Sequence, residues 1–128
     1  MKRKAIESKS IEELVKIFAD SAEEFYRARN EAVLPHKIVR SYYNAQQCAF
    51  EELERRGTKV SLLSLLNDSR PEVRLEAAYR VHDLDPIKTE NVIKELAEVN
   101  GLVGFTAKNA LDSIRGVSRF EGPPPLTP

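Results

Sequence analysis

From Ser10 to Gly116, apolar residues recur at three- and four-residue intervals, and each run is bounded by residues that start or stop a helix. A period near 3.6 commits a chain to α-helices, because only on that period do the apolar side chains share one helical face. The first run comprises Ile11, Leu14, Val15, Phe18, Ala22, Phe25 and Ala28, and it is opened by Ser10 with Glu13 three residues later. That spacing is a capping box, in which a hydroxyl and a carboxylate satisfy amides that the first helical turn leaves without partners. It predicts a helix over roughly residues 10–31. A second run, Ile38, Val39, Tyr42, Ala45, Cys48, Ala49 and Leu53, begins near Pro35 and ends at Gly57. Proline suits the first turn because it has no amide to leave unpaired, and glycine suits a left-handed stop. Together the two runs predict one long antiparallel hairpin.

From residue 60 the helices become shorter and their joints tighter. Val60, Leu62, Leu63, Leu65 and Leu66 predict a brief leucine helix that stops at Asn67–Asp68. Ser69 and Glu72 form a second potential capping box, with Pro71 in its first turn. The helix that follows carries Val73, Ala77, Ala78 and Val81 on one side and Leu75, Tyr79 and His82 on another. Two apolar faces predict burial between neighbours. Asp85–Pro86 starts the next helix and Asn100–Gly101 ends it; the last runs from Val103 to Ile114 and closes at Gly116.

Segments 60–84 and 86–115 share a plan of short helix, tight turn and alanine-lined second helix. A shift of 33 residues places Ala77 over Ala110 and Val81 over Ile114, whereas a shift of 32 places Val73 over Phe105 and Ala78 over Ala110. The expected fold is all-α, a right-handed stack of antiparallel helical hairpins with about six helices. Residues 1–9 read as a flexible basic start and 10–116 as one domain. Within it, 10–57 is a capping hairpin, 60–84 a repeat and 86–115 a degenerate repeat; 117–128 reads as a proline-rich tail.

The stretch from Asp68 to Ala78 resembles the HEAT-repeat pattern, with its turn aspartate, its Val73–Arg74 pair and its double alanine Ala77–Ala78. The resemblance implies that Asp68 and Arg74 tie the turn inside the repeat to its neighbour. It also implies that the second copy lacks this tie, since Thr106 or Ala107 stands where the arginine belongs. Through Ile11–Phe18, Glu51–Gly57 and Leu62–Ala78, the chain resembles a small bacterial family of unknown function with HEAT-like helices. That likeness implies a fold and carries no catalytic residue with it.

Chemistry is scarce. The two histidines, His36 and His82, are far apart, and the single Cys48 can form neither an internal disulfide nor a thiolate metal cluster. The pairs Glu12–Glu13, Glu23–Glu24 and Glu51–Glu52 point in diverging directions on the polar sides of their helices. No cofactor, no metal and no enzymatic activity are expected. Basic residues open the chain without an apolar stretch behind them, and no run reaches the roughly 20 apolar residues that span a bilayer, so a cytoplasmic location is expected.

Two groups remain as candidate surfaces. Tyr42, Tyr43, Asn44, Gln46, Gln47 and Phe50 combine aromatic area with adaptable amides, the makeup of many protein interfaces, although the same residues suit packing of the second helix. Lys37, Arg40, Arg55, Arg56 and Lys59 form a basic set. With 20 basic and 20 acidic residues the net charge is zero, which disfavours a surface built broadly for polyanions. The expected function is a non-catalytic protein–protein interaction or regulatory module. A nucleic-acid-binding protein is the alternative if the basic set converges on one concave face. A homo-oligomer built through the first two helices is another, and an immunity-type protein a third, by analogy of fold alone.

Overall fold

The computed structural model describes residues 3–31 and 34–116, and among them every regular element is helical. Six α-helices, α1 (Arg3–Glu7), α2 (Ile11–Arg29), α3 (His36–Arg55), α4 (Pro71–Arg80), α5 (Pro86–Leu96) and α6 (Leu102–Ile114), are joined by a 3₁₀ segment, Lys59–Asn67, between α3 and α4. Neighbours in sequence pack as neighbours in space: α2 on α3, the 3₁₀ segment on α4, α4 on α5, and α5 on α6. The result is the stack of helical hairpins expected. The proline-rich stretch 117–128 lies outside the described residues.

The start of the chain differs from expectation. Arg3–Glu7 is a short helix rather than a flexible lead, and its Ile6 is buried as α1 packs on α3. Five residues are too few to display a helical period, so only the tertiary contact reveals the element. Helix α2 begins as its sequence dictates. The Ser10 hydroxyl accepts from the Glu13 amide at 3.1 Å, and the Glu13 carboxylate accepts from the Ser10 amide at 2.9 Å. Leu14 and Phe18 are fully buried, each removing apolar surface worth roughly 2 kcal/mol from water.

Pro35 sits one position earlier than a first helical residue, as the extended cap of α3. Gly57 ends the helix in the left-handed region, at φ 71°. The leucine segment is 3₁₀ rather than α-helical. In a three-residue winding, positions three apart lie directly above one another, which puts Leu62 and Leu65 on one buried line. Such a long 3₁₀ run is uncommon, and burial against α4 and α2 sustains it.

The expected Ser69–Glu72 capping box is absent from α4, whose N-cap is Arg70. The Asp68 carboxylate accepts the Arg70 amide instead, at 2.9 Å, a two-residue side-chain turn that turns the chain before Pro71. Helix α4 is the centre of the stack. Val73 and Ala77 are completely buried, as is Ala78, with Leu75 nearly so, in keeping with its two apolar faces. Asp85 caps α5 by accepting from the Lys88 amide at 3.2 Å. In α6, a Cβ added at Gly104 would lie 1.6 Å from the Val99 carbonyl oxygen, so the α5–α6 turn closes directly onto the helix backbone.

Candidate functional site

Helix α3 is packed unevenly along its length. None of residues 36–45 is buried, and Ile38 and Tyr43 are 40% and 44% exposed. In residues 46–55, by contrast, Gln46, Ala49, Glu52 and Leu53 are buried. The sequence carries one apolar stripe through both halves, yet its first half (Val39, Tyr42, Ala45) is only half-buried and fully buried residues occur only in the second.

That division separates the aromatic and amide residues of the candidate interface. Gln46 points inward and donates to the Glu76 carboxylate at 2.8 Å, where the Tyr26 hydroxyl also donates at 2.8 Å. Burial, reinforced by the adjacent Glu76 charge, pushes the Tyr26 phenol well above its ordinary pKa and keeps it a donor. Gln47 accepts from Arg80 at 2.6 Å, and the Arg80 guanidinium lies 4.7 Å over the Phe50 ring. These three side chains therefore bind α3 to α4. Tyr42 is half-buried, whereas Tyr43 and Asn44 remain exposed.

Beside Tyr43 is a groove of about 700 Å³ at the loop end of the α2–α3 hairpin. Helical spacing explains its walls. Phe25, Ala28 and Arg29 stand three and four apart on α2, and His36, Val39, Arg40 and Tyr43 do the same on α3. Leu34 and Glu31 complete the lining. The Phe25 and Tyr43 rings meet at 5.8 Å between centroids, and the Arg29 guanidinium lies 5.6 Å from the Phe25 centroid. Arg40 donates to Nε2 of His36 at 3.2 Å.

The basic set does not converge. Lys37 and Arg40 lie near the start of α3, while Arg55 and Arg56 lie at its end, a helix of this length spanning roughly 30 Å. Arg55 and Arg56 both pair with the buried Glu52 carboxylate, Arg56 through Nε at 2.6 Å. Arg55 first and Arg56 second hold the Glu52 carboxyl at a pKa of about 2. Arg56 also donates to the carbonyls of Glu7 at 3.0 Å and Lys9 at 2.8 Å, which fixes the turn between α1 and α2. Lys59 pairs with Asp83 at 3.0 Å.

Asp68 and Arg74 do meet, but through the main chain: Arg74 donates to the Asp68 carbonyl at 2.7 Å. The Asp68 carboxylate instead pairs with Arg70 at 2.9 Å, and Arg70 reaches across to Asp20 at 3.0 Å and Glu23 at 3.2 Å on α2. Arg70 is thus the residue that joins this turn to the long hairpin. The sequence hid it because nothing in the spacing of Asp20 and Arg70 marks them as partners.

His82 lies in the turn just past α4, not on the helix, its Nε2 4.0 Å from the Glu90 carboxylate, which also pairs with Arg115 at 3.4 Å. Gln47 is engaged with Arg80 and Tyr43 faces the groove, so these residues do not assemble with His82 into one cleft. Cys48 is half-buried on α3, and among the described residues no cluster of three or more metal-ligating side chains occurs. No described helix is long and apolar enough to cross a membrane. The chain matches no family model, and no curated protein or solved structure matches it.

Proposed function

We propose that the chain is a non-catalytic, cytoplasmic protein-binding module, a HEAT-like stack that docks a partner on the uncovered half of α3 and the groove beside it. One observation carries this reading: the apolar stripe of α3 continues through residues 36–45, where no residue is fully buried and a groove opens beside Tyr43. Amphipathic helices are stabilised by burying such a face, and an open groove between two helix ends suits side chains from a partner. The polar residues that offered chemistry have internal roles, as with Gln46 on Glu76 and Arg56 on Glu52. A nucleic-acid role draws less support, because the cations at the end of α3 are already matched by carboxylates.

The test is site-specific photo-crosslinking in the native host, with p-benzoylphenylalanine in place of Tyr43 or, as a control, of exposed Asn91 on α5. Discrete protein adducts are expected from position 43 and not from position 91. Equal adduct patterns from both positions would sink the proposed surface.

A further inference from the structure

The groove at the loop end of the hairpin differs electrostatically from the rest of the described residues. Among the other described side chains, arginines have found oxygen partners: Arg27 with Glu24, Arg55 and Arg56 with Glu52, and Arg70 with Asp20, Glu23 and Asp68. The two groove arginines have not. Arg29 rests on the Phe25 ring and Arg40 on the His36 ring nitrogen, and neither forms an ion pair with a carboxylate among the described residues. Contact with a ring steadies a guanidinium without neutralising its charge. Lys37 stands exposed on the same turn as Arg40, and among the described lining residues Glu31 is the one acidic group. In a chain with no net charge, this is a local surplus of positive charge around an apolar floor of Phe25, Val39 and Tyr43.

From that arrangement we infer that the groove receives an acidic peptide segment of a partner protein, one that inserts a large apolar side chain between α2 and α3 and sets its carboxylates on Arg29 and Arg40. This inference rests on the docking face proposed above and adds the chemistry of its occupant. Arginine is suited to the task, because its planar fork binds a carboxylate through two parallel hydrogen bonds. A volume of about 700 Å³ accepts a few side chains rather than a folded domain. The apolar anchor supplies contact area, and the charges set orientation and discriminate against basic segments, for which Arg29 and Arg40 are repulsive.

The probe is a random 16-residue peptide library displayed on phage and panned against the full chain. Fluorescence anisotropy on the enriched peptides follows, with wild type, R29E/R40E and V39D. Thermal melts establish that the variants fold. Enriched sequences are expected to pair acidic residues with an aromatic or large aliphatic side chain. Their affinity is expected to fall at least tenfold on R29E/R40E and on V39D, and to weaken as salt rises. Enrichment of neutral or basic sequences that V39D still abolishes would overturn the acidic occupant and leave the docking face standing. Peptides insensitive to both variants, or no enrichment at all, would overturn the two together. Self-association of the chain, abolished by V39D in sedimentation, would replace the peptide with a second copy.

Discussion

The two halves of α3 share one helix and one apolar stripe but live in different surroundings. Residues 46–55 lie under the stack: Leu53 and Ala49 are completely buried, Gln46 joins the Tyr26–Glu76 pair, and Glu52 is enclosed by two arginines. Residues 36–45 have only α2 beside them, with Ile38 and Tyr43 open to solvent and a groove between the two helices. Amphipathicity thus specifies which face of a helix can be buried. Whether that face is buried depends on how far the neighbouring elements reach, and α4, at ten residues, is half as long as α3, at twenty.

The comparison makes the second half of α3 the source of stability and the first half a surface. The largest effect is expected from Leu53→Ala, which empties a fully buried site: a loss of about 3 kcal/mol in denaturant unfolding. A loss below about 1 kcal/mol would place the structural core elsewhere. Glu52→Gln comes next and should be read against pH. The folded-state pKa of Glu52 is depressed, so its stabilisation is complete above its unfolded value near 4.5 and is lost as pH falls through about 2. Replacing it should lower the melting temperature at neutral pH and flatten the acid limb of the stability profile between those values. Asp20 and Asp68, whose pKa values are also held low by ion pairs, Asp20 chiefly by Lys16 and Asp68 by Arg70, should leave part of that limb in place. An acid limb unchanged by Glu52→Gln would contradict the enclosed Glu52–arginine contact. The smallest effects belong to the open half. Ile38→Ser should shift stability by no more than about 0.5 kcal/mol, and Tyr43→Ala by less than about 1 kcal/mol given its contact with Phe25. Larger losses would show that residues 36–45 are covered in solution.

Much of this fold is legible in local signals along the chain. Ser10 and Glu13 announce α2, Asp85–Pro86 announces α5, and Gly57, Gly101 and Gly116 stand at helix ends with positive φ. The two apolar faces of α4 announce a helix enclosed on both sides. What escapes the sequence is decided at longer range. Ser69 and Glu72 match a capping box, yet the Asp68 carboxylate takes the Arg70 amide and α4 starts without that box. The leucine run fits an α-helix, yet packing holds it in a three-residue winding. The short α1 exists through contact with α3 and through Arg56 at its exit.

The candidate site is legible in part and for a physical reason. Tyr42, Tyr43, Asn44, Gln46, Gln47 and Phe50 fall close together in sequence, and helical winding then sends them to different sides. Three of them turn to α4, and Tyr43 turns to α2, where it meets Phe25. The groove needs Phe25, Ala28 and Arg29 as well, and no pattern within α3 points to them. The basic set is scattered for the same reason, since charge count alone cannot tell a solvated arginine from one seated on a buried carboxylate.

The sequence by itself determined that the chain is helical, where most of its helices begin and end, and which residues are apolar enough to form a core, because these depend on period and on neighbours within one or two turns. The tertiary structure alone decided which half of α3 is fully buried, which arginines pair with carboxylates and which stand over an open groove. Those outcomes depend on contacts between residues as far apart as Asp20 and Arg70 or Gln46 and Glu76, and such contacts exist only once the helices have packed.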